Sequence, residues 1–256
     1  MTQIGSATIT QQHDWKQQLA RIRVGAFEVM RLPITNGFGN DPHMIDDMIN
    51  VGVKTIILQV RDCQIDYDYV YHDFIQAGYQ IKVRDHPDVH FYLEVGNEPD
   101  ICGRDPESYI AAMTDTLTRL RPLFVNYHNL DFAAGLAVHS DYNRKIIGNT
   151  QLMSLVEAVA YHIYGDEQLW DHPEIWSFWK DGELGASGKK ILLTEVGING
   201  PIGHCRKAFR YHEFSEYAPK QRPETEAVCF WTVCEDPGFK SYFIDGDMAE
   251  VIRYGI

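Results

Sequence analysis

The sequence predicts an α/β protein of the (β/α)8 barrel class, a single compact domain over residues 1–256 with short loops. Three observations carry this. Eight short apolar runs rich in Val, Ile and aromatic residues are spread along the 256 residues, and segments with the apolar period of helices fill the gaps. Several runs are apolar on both faces, as strands buried between helices and the inside of a barrel should be. A doubly wound open sheet, the competing architecture, carries a glycine-rich phosphate loop after its first strand, and "SATITQQHDW" has none.

The predicted strands, in order, are "SATIT" (6–10), "FEVMRLP" (27–33), "KTIILQV" (54–60), "VHFYLEV" (89–95), "LDFAAGLAV" (130–138), "VEAVAYHIY" (156–164), "KILLTEVG" (190–197) and "AVCFWTV" (227–233). The clearest helix is 105–124. Asp105 supplies a cap, Pro106 suits the first turn, and Ile110, Met113, Leu117 and Leu120 recur at helical spacing. Further helices are predicted near 12–22, 42–51, 67–84, 147–155, 168–182, 204–217 and 247–254.

Composition narrows the partners. Hydrophobic residues make up 45% and charged residues 23%, the balance of a soluble globular chain. The net charge of −13 argues against nucleic acid, whose phosphates need basic patches. Sugars, peptides and small molecules stay open. No run approaches 18 apolar residues, so no membrane span is expected. The start, "MTQIGSATITQQHDWKQQ", has neither a basic region nor an apolar core, so no signal peptide is expected, and a cytoplasmic or phage-associated setting follows. Five cysteines, an odd number without a CxxC pair, predict free and mostly buried thiols.

In a barrel the polar residues at C-terminal strand ends line the active site. Those ends carry Arg31, Asn97, Glu98, His139, His162, Tyr164, Glu195 and Trp231. Glu98 closes strand four and Glu195 closes strand seven, and both strands open on the same mouth. Two carboxylates there can divide acid and base work. Each residue also has a structural alternative: an ion pair for the glutamates and Arg31, a satisfied core position for His162, barrel packing for Trp231. No motif supports His139. In "WDHPEIWSFWK" (170–180), Ile175, Trp176, Phe178 and Trp179 fit a helix stripe, leaving Trp170 as a candidate sugar platform. "DCQIDYDYVYHD" after strand three reads equally well as a cleft rim or as a solvated helix. Eleven histidines invite a metal reading, but no His-Glu-x-x-His cluster occurs, and Gly-x-Ser-x-Gly is absent too. No metal and no cofactor are expected.

"LEVGNEPD" resembles the fourth-strand motif of clan A glycoside hydrolases, in which Asn-Glu-Pro carries the acid/base glutamate. "LLTEVG" is similar to the seventh-strand motif with the nucleophile, "VMRLPI" to the second-strand arginine motif of the cellulase-type family 5, "YHIYG" to the sixth-strand His-x-Tyr and "CFWTV" to the eighth strand with its tryptophan. The five matches run in chain order from residue 29 to residue 233. The resemblance implies a retaining β-glycosidase acting on a carbohydrate by double displacement. Glu98 would be acid/base and Glu195 nucleophile, with carboxyls about 5–5.5 Å apart. It further implies that Arg31 and Tyr164 hold the nucleophile, that Asn97 binds the sugar 2-hydroxyl, that His162 positions Glu195 or Tyr164, and that Trp231 faces the sugar ring, with a cis peptide to Thr232. The alternative is a barrel that binds carbohydrate with little or no catalysis, for instance a phage particle component.

Overall fold

A computed structural model describes residues 2–7, 14–34, 41–60, 63–137, 140–165, 184, 187–198, 202–231 and 244–255. Eight parallel strands close into one barrel in sequence order, β8 pairing back onto β1. They are β1 (Gln3–Ala7), β2 (Val29–Pro33), β3 (Thr55–Val60), β4 (His90–Val95), β5 (Leu130–Gly135), β6 (Ala158–Gly165), β7 (Lys190–Ile198) and β8 (Thr225–Trp231). The helices described are α1 (Trp15–Val24), α2 (His43–Asn50), α3 (Tyr67–Tyr71), α4 (Tyr79–Asp85), α5 (Pro106–Leu120), α6 (Ser140–Gly148), α7 (Thr150–Ser154), α8 (His204–Gln221) and α9 (Gly246–Tyr254). This is the TIM barrel the sequence predicts.

Strand alternation divides the apolar residues into two cores. Met30, Leu32, Phe91, Leu93 and Val95 join the large cluster between strands and helices. Val29, Ile57, Tyr92, Ala133, Ala158, Ala160, Leu192, Ala227 and Cys229 form a separate cluster inside the barrel. Four of those nine are alanines, and small side chains leave room on the axis for larger polar groups above them.

Three elements differ from expectation. β1 begins at Gln3, not at residue 6, because pairing on both sides stabilises it: Gly5 pairs with Val29 and with Cys229. Closure of the ladder outweighs the weak strand propensity of Gln3 and Gly5. The helix expected over 67–84 is broken into α3, a π-turn at His72–Gln76 and α4, with Gly78 at φ 90° as the joint. The helix expected over 147–155 is α7, begun by Asn149, which accepts from the Leu152 amide at 2.9 Å, and α6 before it, over Ser140–Gly148, was not expected. α5 is as expected: Asp105 Oδ1 accepts from the Ser108 amide at 2.9 Å. The predicted helix at 168–182 lies outside the described residues.

In the "DCQIDYDYVYHD" segment, Ile65 and Tyr67 pack against α5. Thr116 Oγ1 of α5 donates to the Ile65 carbonyl at 2.7 Å, and the Arg119 guanidinium sits 3.6 Å above the Tyr67 ring. From Tyr67 the stretch is helical, as one of the two readings has it.

The cysteine expectation is corrected. Cys63 and Cys102 are joined in a disulfide, Cα atoms 6.2 Å apart, while Cys205 and Cys229 are free. The loops after β3 and β4 bring together residues 39 apart in sequence, which no local spacing reveals. Arg104 reinforces the link, donating to the Cys63 carbonyl at 2.6 Å. Closing a loop of this length removes unfolded-state entropy worth about 2–4 kcal/mol. Cys63→Ser/Cys102→Ser is therefore expected to melt roughly 5–10 °C lower than the parent. Equal melting points under non-reducing conditions would contradict a formed bond.

Candidate active site

The site grows from the inward parity of the strands. On β2, Val29 faces the axis, and so does Arg31 two residues on. On β4, Tyr92 faces in, and so does Glu94. Arg31 is 1% exposed and Glu94 fully buried. A buried charge must be paired, and these two pair bidentately: Arg31 Nε to Glu94 Oε2 at 2.7 Å and Arg31 Nη2 to Glu94 Oε1 at 2.9 Å. Arg31 Nη2 also donates to Asn97 Oδ1 at 3.1 Å, and Nη1 to Glu195 Oε1. One guanidinium thus ties β2, β4, the β4 loop and β7 together.

Glu195 reaches the axis through a bulge. Leu192 faces in, so simple alternation would turn Thr194 inward and Glu195 outward. The β6–β7 register shifts between Tyr161 and His162, pairing His162 with Glu195, and the β7–β8 register shifts between Leu193 and Val196. The extra residue re-aims the carboxylate. Tyr164 then donates its hydroxyl to Glu195 Oε2.

Glu98 arrives by strained backbone. Gly96 has φ 80° and Glu98 has φ 41°. A Cβ on Gly96 would lie 2.0 Å from the Tyr109 hydroxyl, which itself donates to Gly135 O at 2.9 Å, so only glycine fits. Positive φ at Glu98 costs of order 1–3 kcal/mol and is held by its surroundings. Its amide donates to the Leu136 carbonyl at 3.2 Å, and its Oε1 lies 2.8 Å from His162 Nδ1. The other ring nitrogen, Nε2, lies 3.6 Å from Glu195 Oε1. His162 is therefore wedged between the two carboxylates.

Charge sets the proton positions. Burial alone would raise the Glu98 carboxyl, but the hydrogen bond and charge of His162, with Arg31 behind, hold it below its ordinary value. Burial would lower His162, but the Glu195 charge and the Glu98 hydrogen bond raise it. Burial and the neighbouring Glu195 push Tyr164 well above the ordinary phenol value, so it stays a donor. For Arg31, burial pulls down and the Glu94 and Glu195 charges overcome it.

These directions fix a pH window for stability. Glu98 is depressed from 4.5, so its contribution is complete above 4.5 and is lost as pH falls through the lower folded value. His162 is raised from 6.5, so its contribution is complete below 6.5 and is lost as pH rises through the higher folded value. Urea midpoints are expected to be highest between those two values. His162→Gln should remove the decline on the alkaline side. A parent decline that survives in that variant would disprove the assignment.

One oxygen from each of Glu98 and Glu195 and one nitrogen of His162 lie within 4.8 Å of one another, the group among the described residues compact enough to consider for a metal ion. The Arg31 guanidinium, shared with Glu94, already pairs with the Glu195 side of that cluster. Trp231 ends β8 with the inward parity of Ala227 and Cys229 and is 6% exposed. His139, Trp170 and Thr232 lie outside the described residues. Among the predicted residues, Arg31, Asn97, Glu98, His162, Tyr164 and Glu195 form one connected network. Glu94 was missed, although a lone carboxylate in the otherwise apolar "FYLEV" was a usable signal for a buried partner to Arg31.

No protein-family model matches the sequence, and no curated protein aligns with it. Solved structures do resemble its fold. An endo-β-1,3-glucanase of glycoside hydrolase family 128 from Amycolatopsis mediterranei, in complex with laminaripentaose, is similar at TM-score 0.63 and 12% identity, covering 99% of each chain. A family 128 curdlan-specific exo-β-1,3-glucanase from Blastomyces gilchristii, in complex with glucose, gives 0.62 and 12%, covering 97% of each. A family 5 cellulase from an Icelandic hot spring isolate gives 0.65 and 15%, covering 100% of this chain and 89% of that one. At these identities the likeness is one of fold.

Proposed function

We propose that the chain is a retaining β-glycoside hydrolase acting on a β-linked glycan or oligosaccharide, with Glu98 as acid/base and Glu195 as nucleophile. The observation that carries the reading is the close approach of the two carboxylates at the barrel mouth, with one oxygen of each within 4.8 Å of the other. A retaining pair stands about 5–5.5 Å apart, whereas an inverting pair leaves roughly 6.5–9.5 Å for a water. The fold shared with β-glucanases supports the same class and makes β-glucans the first substrates to test.

In the proposed reaction a Glu195 oxygen attacks the anomeric carbon while Glu98 gives a proton to the departing glycosidic oxygen. A glycosyl ester of Glu195 results. Glu98, now a carboxylate, takes a proton from water as that water attacks the anomeric carbon and releases Glu195. In this reading Arg31 and Tyr164 hold the nucleophile from two sides, Asn97 binds the sugar 2-hydroxyl, and Trp231 offers a ring to the sugar face. The test is a screen on aryl β-glycosides, β-1,3- and β-1,4-glucans, mannans and xylans, with the first-released anomer followed by proton NMR. The β-anomer is expected. The α-anomer would mean inversion, and glycan binding without turnover would favour the carbohydrate-binding barrel.

A further inference from the structure

The mouth holds an unequal set of charges. From β2 comes Arg31; from β4 and its loop, Glu94, Glu98 and, beside Glu98, Asp100; from β6, Tyr164; from β7, Glu195; and from β8, the Cys229 thiol. Arg31 pairs with Glu94 and Glu195, while Glu98 lies against His162. His162, with only 5% of its side chain exposed, touches both carboxylates of the proposed reaction through different ring nitrogens.

We propose that His162 is a positioning residue that shares the acid's proton with Glu98, so that the charge on Glu195 sets whether the pair holds that proton. The proton has two addresses, His162 Nε2 and the outer oxygen of Glu98. Nδ1–H donates to Glu98 Oε1 in both forms, so the carboxyl keeps its orientation. In the resting site the proton sits on Nε2, facing the Glu195 carboxylate, and the imidazolium reduces the excess of negative charge. In the reactive form it sits on Glu98 and the imidazole is neutral. Glycosylation transfers that proton to the leaving oxygen and turns Glu195 into a neutral ester. The reason for Nε2 to hold a proton then disappears, and Glu98 is left as the carboxylate base that the second step needs. Hydrolysis of the ester restores the Glu195 charge, and the proton taken from water returns to the pair. Protons balance over the cycle, and the pair titrates as a unit.

The kinetic half rests on the glycosidase reading; the titration half does not. The first experiment follows the ring nitrogens of His162 by 15N NMR against pH, with assignment from the signal lost in His162→Gln. Both nitrogens are expected to be protonated in the parent near pH 6.5, with the titration moving down by about one pH unit or more in Glu195→Gln. A neutral ring in the parent, or a titration that ignores Glu195→Gln, overturns the proposal. The second experiment compares pH profiles of kcat/KM. In His162→Gln the alkaline limb should fall to lower pH by about one unit, with kcat at pH 7 down about tenfold and KM little changed. A lowered rate with an unmoved limb would make His162 merely structural and overturn the proposal. His162→Asn serves the same comparison if the glutamine variant does not fold. A parent without turnover on any glycan would reject the glycosidase reading, while the NMR result would still decide the coupling.

Discussion

Glu195→Ala is expected to lower turnover of β-glycosides by about four orders of magnitude or more, whatever the leaving group, a loss of about 5 kcal/mol of transition-state stabilisation. Without its carboxylate no glycosyl-enzyme forms. Glu98→Ala should behave differently. A dinitrophenol leaving group needs no proton, so the first step on a dinitrophenyl glycoside should stay fast. The second should slow, since water has lost its base. Azide separates the two roles. In Glu98→Ala it attacks the glycosyl-enzyme and gives the β-azide. In Glu195→Ala it fills the vacated space, displaces the aglycone directly and gives the α-azide. Exchanged products would reverse the assignment. Unchanged hydrolysis in both variants would remove the glycosidase reading.

Arg31→Met is expected to cause the largest loss of stability, about 3–5 kcal/mol, and a melting point lower by roughly 10 °C. The guanidinium is the shared counter-ion of Glu94 and Glu195, with side chains only 0% and 8% exposed. Deleting it leaves Glu94 buried without a cation and Glu195 with only His162 and the Tyr164 hydroxyl beside it, so the desolvation of Glu94 goes uncompensated. Arg31→Lys is not conservative here, because an ammonium cannot reproduce the forked contact to Glu94 while also reaching Glu195 and Asn97. Glu94→Gln should cost less, about 1–3 kcal/mol, as the amide oxygen still accepts one bond. The double variant Arg31→Met/Glu94→Leu should recover much of the stability of Arg31→Met but none of its activity, since one unpaired charge is removed and Glu195 remains unheld. A melting point unaffected by Arg31→Met would show that the triad contributes nothing to the fold.

Much of the architecture was legible without coordinates. Runs such as "KTIILQV" and "VHFYLEV", apolar on both faces, read as buried strands, and their count of eight, alternating with helical periods and lacking a glycine-rich loop after the first, points to a barrel. Asp105, Pro106 and the stripe from Met113 to Leu120 define α5 because capping and periodicity act within a few residues of each other. The candidate carboxylates were legible for a similar reason: a strand's C-terminal end is a local property of the sequence.

Whatever depends on register or on contacts between distant segments was not legible. Alternation along β7 points Thr194 inward, and only the bulge against β6 and β8 brings in Glu195. The Gly96 and Glu98 conformations are imposed by Tyr109 and the β5 end, far away in sequence. Cys63 and Cys102 meet because two loops share the barrel mouth. Glu94 looks like an anomaly in its own strand and becomes intelligible only opposite Arg31, 63 positions earlier. The sequence by itself determined the strand and helix periods and the polar residues at the strand ends, because neighbours along the chain set them. The tertiary structure decided which of those residues face one another and where the shared protons sit, because burial and pair distances arise only when the barrel closes.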